Sequence, residues 1–164
     1  MFKLIVACDR KGGIGLKNKI PWHLSKDLKF FASKTKGNGN NAVVMGKNTY
    51  ISIGKHLPER NNIVLSTTLE DNSNIKVCNN KQEVLNYCKT SNFDEVWIIG
   101  GSQIYDLFLK EKNLINTVFL TVIDSDFECD SFLTCSSMTN IMENYELVCK
   151  QLESIENGLK FTWS

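Results

Sequence analysis

Asp27 is the residue around which chemistry can be organised in this chain. It lies in residues 12–31, GGIGLKNKIPWHLSKDLKFF. Gly12, Gly13 and Gly15 give a flexible stretch, Pro21-Trp22 stiffens it, and a helix with one acid follows at once. A mobile cover, a hinge and one carboxylate suit closure over a small molecule held by a single charged group. Two readings of Asp27 stand on the pattern alone. In one, Ser25 is the N-cap and Asp27 is a first-turn acid favoured by the helix dipole. In the other, Asp27 borders the apolar face of Leu24, Leu28 and Phe31, where loss of solvent makes a carboxylate functional.

A second constellation sits at strand ends, where open α/β sheets bind ligands. Ala7-Cys8 feeds the glycine stretch. Met45-Gly46 opens a helix at Lys47-Asn48-Thr49, Ser66-Thr67-Thr68 ends another strand, and Gly100-Gly101 opens a helix at Ser102. Helix N-termini offer free N–H groups to phosphate, and paired glycines let a ligand approach the backbone. Two such starts fit a pyrophosphate, and Lys47 with Ser66 and Thr67 fits a further phosphate. Each glycine junction alone is also simple turn geometry; together they point to a phosphorylated dinucleotide. The G-x-G-x-x-G fingerprint and the P-loop pattern are both absent from the sequence.

These residues need elements to position them. Strand patterns fall at 3–8, 42–45, 62–66, 75–78, 96–99, 117–123, 145–152 and 159–163, and helical patterns at 25–35, 47–53, 81–89 and 102–110. Strands and helices alternate through residue 110, which predicts parallel pairing with crossover helices. No helix is predicted among the last three strands, and Asn157-Gly158 predicts an antiparallel hairpin between the final two. The expected fold is a single α/β domain over residues 1–164. Its mixed, mostly parallel sheet has about eight strands flanked by four helices.

With 164 residues, 42% hydrophobic and 23% charged, the chain can bury a substantial core. The start, MFKLIVACDRK, meets charge too early for a secretory signal, so a cytoplasmic location is expected. Cysteines stand at 8, 78, 88, 129, 135 and 149 with no C-x-x-C pair, and His23 and His56 are distant from them in sequence. Reduced, mostly buried thiols are expected, and no metal. Net charge is +1, yet the first 60 residues hold 12 of the 19 Lys/Arg and only 3 of the 18 Asp/Glu. Scattered surface lysines explain that, or a field that draws anionic ligands. No arginine–aromatic interleaving favours nucleic acid.

The segments LIVACD, GGIG, IPWHLSKDLKFF, VVMGKNTYISIGKHLPERNNIVLS, VWIIGGSQIY and FLTVID, in that order, resemble the dihydrofolate reductase family. The resemblance spans residues 1–130 and implies NADPH-dependent reduction of 7,8-dihydrofolate to tetrahydrofolate in one-carbon and thymidylate metabolism. It implies a monomer that is an antifolate target. Asp27 would hold the pterin and support protonation of N5, with Trp22 ordering a water, Thr121 bonding the carboxylate and Ile20 closing over the site. The carbonyls of Ile5 and Ile99 would face the pterin edge. Leu28, Phe31, Ile53 and Leu57 would pack the ring systems. Arg60 would grip the glutamate α-carboxylate, with Lys55 nearby.

On the cofactor side, the resemblance assigns the nicotinamide carboxamide to the backbones of Ala7 and Ile14. It assigns the lid to Gly15, Leu16, Asn18 and Ile20. The phosphates would meet Gly46, Lys47, Asn48, Thr49, Leu65, Ser66 and Thr67. The turn of Ile99, Gly100, Gly101, Ser102, Gln103, Ile104 and Tyr105 would hold the pyrophosphate, with a cis peptide between its glycines. Three features depart from the family pattern: Cys129 replaces a common glycine, Phe132-Leu133 replaces Phe-Pro one residue early, and Phe161-Thr162-Trp163-Ser164 stands where a basic tail is usual. Lys47 and Asn48 also stand where arginine or histidine is found. Two other functions compete. A reductase of a riboflavin-pathway intermediate would share the glycine turn without needing Arg60. A non-catalytic nucleotide- or RNA-binding module would not need Asp27, Trp22 and Thr121.

Overall fold

A computed structural model describes residues 1–147 and 152–164. The strands are β1 (Phe2–Asp9), β2 (Gly13–Gly15), β3 (Ala42–Gly46), β4 (Asn61–Leu65), β5 (Ile75–Cys78), β6 (Val96–Gly100), β7 (Ile115–Ile123), β8 (Ser131–Phe132), β9 (Leu152–Glu156) and β10 (Leu159–Trp163). The helices are α1 (Ser25–Lys36), α2 (Lys47–Ile53), α3 (Lys81–Ser91), α4 (Ser102–Leu109) and α5 (Cys135–Asn144). Eight strands form one sheet in the order β5-β4-β3-β6-β1-β7-β10-β9. It is parallel from β5 through β7. β10 then pairs antiparallel with both β7 and β9, around the Asn157-Gly158 turn. The mostly parallel α/β architecture and the C-terminal hairpin are as expected.

Three expectations are corrected. There are five helices among the described residues, not four, because α5 lies between β7 and the final hairpin. Its Ser, Thr and Asn residues are weak helix formers, but Thr134 accepts the Ser137 N–H at 3.0 Å and the helix buries Ser137 and Ile141. The strand expected at 145–152 is not formed by residues 145–147; residues 148–151 lie outside the described residues, and the described strand there is Leu152–Glu156. A two-stranded sheet of β2 and β8 was not expected at all.

The central strands are apolar on both sides because helices cover both faces. Ile5, Val43, Met45, Val64, Trp97 and Ile99 make one cluster, against which Phe30, Phe31, Tyr50, Ile53 and Leu57 pack. Leu4, Val6, Val44, Ile98, Val84, Phe108 and Ile141 belong to the other, which joins α3, α4 and α5. Leu24, Ile123 and Phe161 form a third, at the α1 start. Of the described thiols, Cys8, Cys78 and Cys88 are buried, Cys129 is half-buried and Cys135 is exposed, and these five are free; Cys149 lies outside the described residues. Burial pushes Cys8 up to about 11 and Cys88 to about 12, so both remain thiols at neutral pH. Among the described residues no helix is long and apolar enough to cross a membrane.

Candidate functional site

The sheet opens where β1 and β6 part. Their pairing stops at Leu4 with Ile98, yet β1 runs on to Asp9 and β6 to Gly100. On the other side of β6 the register jumps from Val44–Ile98 to Met45–Gly100, so Ile99 faces no partner in β3. Such an irregularity frees backbone groups. The expected pterin-edge carbonyls, Ile5 and Ile99, therefore flank the gap. The Ile5 carbonyl accepts the buried Tyr105 hydroxyl at 2.9 Å, which leaves a second lone pair.

Asp27 lies in the first turn of α1, half-buried over β7 and β10. Its Oδ1 accepts the Thr121 hydroxyl at 2.8 Å, the expected partner, and the Trp163 indole N–H at 2.9 Å, which sequence reasoning missed. Among the described residues Oδ2 has no protein partner. A carboxylate with one oxygen saturated and one open is fixed in place but still able to receive a ligand. Ser25 is not the N-cap. That position is Leu24, and the cap is supplied from β9, where Glu156 accepts both the Ser25 N–H and its hydroxyl. The Ser25 hydroxyl holds the Glu156 carboxyl below its ordinary value, against the upward push of burial. The start of α1, and Asp27 with it, is thus pinned to the C-terminal hairpin.

Leu28 is not part of the packed face of α1. It is 50% exposed, as Ile20 is at 55%, and Phe30 takes the inward position instead. Phe31, Ile53 and Leu57 are half-buried and line the same side. Arg60 donates from Nη1 to Thr35 at 2.9 Å and from Nε to the Pro58 carbonyl at 2.9 Å, so its fork is held beside the C-terminal part of α1. Burial draws its pKa down from the ordinary guanidinium value, and it stays charged. Asp27 and Thr35 are separated along α1 by about 12 Å at the helical rise. Lys55 is exposed nearby in sequence.

At the other side of the gap, α2 and α4 begin at Gly46 and Gly101, and neither start has a side-chain cap. A Cβ on Gly46 would meet Ile104 at 3.1 Å, and one on Gly101 would meet the Thr49 hydroxyl at 3.4 Å. The two helix starts therefore abut, with Thr49 between them, and neither start is closed by a side-chain cap. Gly100 has φ +112 and a side chain there would strike the Tyr105 ring at 3.0 Å, so only glycine fits. The Gly100–Gly101 peptide is cis, as expected.

Lys47 reaches from α2 to Thr68 at 2.8 Å, and the Ser66 hydroxyl accepts the Thr68 and Leu69 N–H groups. The hydroxyl brought to Lys47 is thus Thr68 rather than Thr67, which is exposed with Asn48. Gln103 is exposed, Ile104 and Tyr105 turn their side chains into the core, and Leu65 is half-buried. The Ser102 hydroxyl is committed to the Phe132 carbonyl at 2.6 Å, leaving its backbone for a ligand. The bare starts of α2 and α4, with a lysine–hydroxyl cluster beside them, are suited to anionic phosphate groups.

The cover is more tightly held than its glycines imply. Ala7 is half-buried at the gap, and Ile14 and Gly15 lie in β2, paired with β8. Leu16 and Lys19 exchange backbone hydrogen bonds around Lys17 and Asn18, both at positive φ, which is a type I′ turn. Asp130 donates its N–H to the Gly15 carbonyl at 2.9 Å and accepts the Lys17 N–H at 3.0 Å. Asp9, 1% exposed, accepts N–H groups from Lys11, Gly13 and Phe127. Burial pushes its pKa up, but these three bonds outweigh it and leave the carboxyl below its ordinary value. Trp22 packs against Phe127 at 5.3 Å.

An open α/β sheet with bare helix starts on one side of its gap and an anchored carboxylate on the other is the architecture of a nucleotide-dependent oxidoreductase. A family model for dihydrofolate reductase matches residues 1–162, so the chain belongs to the dihydrofolate reductase family. It is 33% identical to the dihydrofolate reductase of Aedes albopictus, over 99% of this chain and 94% of that one. It is 35% identical to that of Staphylococcus haemolyticus, over 96% and 85%. Against the bifunctional dihydrofolate reductase-thymidylate synthase 2 of Arabidopsis thaliana the identity is 31%, over 99% of this chain and 31% of that protein. The reaction is the reduction of dihydrofolate to tetrahydrofolate with NADPH.

Proposed function

We propose that the gap between β1 and β6 is the active site and that Asp27 is its one acid in contact with the pterin. The observation that carries this is the half-satisfied carboxylate: Oδ1 is held by two donors and Oδ2 is open. Asp27 accepts the pterin 2-amino group and the adjacent ring nitrogen, and keeps negative charge beside the ring while N5 takes its proton. Trp22 orders the water that delivers the proton, and Thr121 fixes the carboxylate.

Leu28, Phe31, Ile53 and Leu57 clamp the two ring systems, and the Arg60 fork holds the α-carboxylate, with Lys55 near it. The helix starts at Gly46 and Gly101, with Thr49, hold the pyrophosphate, and Lys47, Ser66 and Thr68 read the 2′-phosphate. Bound NADPH supplies a hydride from nicotinamide C4 to pterin C6. Ala7 and Ile14 orient the carboxamide edge. Gly15, Leu16, Asn18 and Ile20 close over the ring and exclude water. The chain acts as a single-domain monomer in the cytoplasm, without nucleic acid.

The test is loss of NADPH absorbance on adding dihydrofolate, with NADH in parallel. Rapid oxidation with NADPH, slowed by orders of magnitude but still measurable in Asp27→Asn, is expected. Turnover of the variant within a few-fold of the parent removes Asp27 from this role.

A further inference from the structure

The bond from the Trp163 indole to Asp27 joins the last strand to the carboxylate that the reading above makes central. The register of β10 on β7 sets Trp163 directly beside Thr121, so two donors from neighbouring strands reach one oxygen, at 2.9 and 2.8 Å. The two are not equivalent. A threonine hydroxyl donates or accepts and rotates to suit, whereas an indole N–H only donates. The Trp163 ring cannot swing away. It stacks on Phe30 of α1 at 5.2 Å and 27°, and meets Phe161 edge-on at 5.1 Å. Phe30 is three residues beyond Asp27 on the same helix, so the stack and the hydrogen bond lock one another.

We infer that Trp163 is a positioning residue for the reaction: its fixed indole donor holds Oδ1 of Asp27, keeping that oxygen an acceptor and turning Oδ2 to the substrate. This rests on the assignment of Asp27 to the pterin. A ligand that donates to Asp27 then meets an oxygen whose orientation is already fixed. Positioning of this kind counts most where positive charge grows on the ring during reduction, so it weighs on kcat more than on KM.

Trp163→Phe tests it, since phenylalanine keeps the stack on Phe30 and deletes only the N–H. The expected result is a fall in kcat of about tenfold, the equivalent of about 1.4 kcal/mol, with KM for dihydrofolate changed less than about threefold. The same substitution placed in Asp27→Asn should cost less than about twofold, because no anionic oxygen remains to be held. An equal loss in both backgrounds, or kcat within twofold of the parent, overturns the inference while leaving the reaction itself intact. Substantial turnover by Asp27→Asn alone overturns instead the assignment on which it rests. Should the phenylalanine variant fold poorly, the indole N–H resonance of Trp163 in the intact parent decides the matter. It should lie downfield and exchange slowly, and should move upfield in Asp27→Asn; an indole signal indifferent to Asp27 refutes the contact.

Discussion

Asp9 and Asp27 are the only two acids in the first 58 residues, and the structure treats them in opposite ways. Asp9 is 1% exposed and spends both oxygens on backbone N–H groups, tying the turn after β1 to Phe127 beyond β7. Asp27 spends one oxygen on Thr121 and Trp163 and keeps the other open. The helix starts divide in the same way. Asn80 caps α3 and Thr134 caps α5, while α2 and α4 begin bare. Polar groups that the chain satisfies internally hold the frame; those it leaves open line the gap between β1 and β6. Among the described residues no buried side-chain polar atom lacks a partner, so the open groups are ones that water can reach and a ligand can take over.

The comparison predicts that the open groups govern rate and the closed ones stability. The largest effect should come from Asp27→Asn. Turnover at neutral pH should fall by a factor on the order of 1000, read from NADPH absorbance, with the thermal midpoint nearly unmoved. Asp9→Ala should do the reverse. Leaving buried N–H groups without an acceptor should cost about 3 kcal/mol in denaturant unfolding, with kcat reduced far less than by Asp27→Asn.

Acid should reveal the same carboxyl. The folded Asp9 sits below its ordinary value of 3.8, so its contribution is fully present above that pH and is lost as pH falls toward its folded value. The unfolding free energy of the parent should therefore drop more steeply below pH 4 than that of Asp9→Asn. Smallest of all, Thr134→Ala should remove about 1 kcal/mol from the unfolding free energy and leave steady-state kinetics unchanged. A clear loss of kcat from this cap variant would blur the division between open and closed groups.

Much of the frame was legible because its signals are local. The apolar runs of β1, β3 and β6 and the Asn157-Gly158 turn specify strands and a hairpin without help from the rest of the chain. α5 was hidden because Ser, Thr and Asn carry little helical signal; its short buried stripe counts only once α4 is there to receive it. β2 and β8 were hidden because two- and three-residue strands have no period to read. Within the site, Asp27 and Thr121 could be named in advance, as could the glycines that start α2 and α4. Trp163 and Glu156 could not, since each meets α1 from a strand more than 120 residues away. The one clue was the hairpin itself, which sends Trp163 back beside Thr121 when its register on β7 is drawn.

By itself, the sequence determined the alternation of strands and helices, the acid in the first turn of α1, the glycines at two strand–helix junctions and the family. Each follows from the chemistry of neighbouring residues, where spacing of a few positions fixes geometry. Only the tertiary structure decided which groups are spent and which remain open. It turned Asp9 inward and left Oδ2 of Asp27 free, committed the Ser102 hydroxyl to β8, brought Thr68 to Lys47, and set an indole against the carboxylate. Those outcomes depend on hydrogen bonds between strands and helices distant along the chain. Such bonds exist only once the sheet order and register have been set by burial of the core.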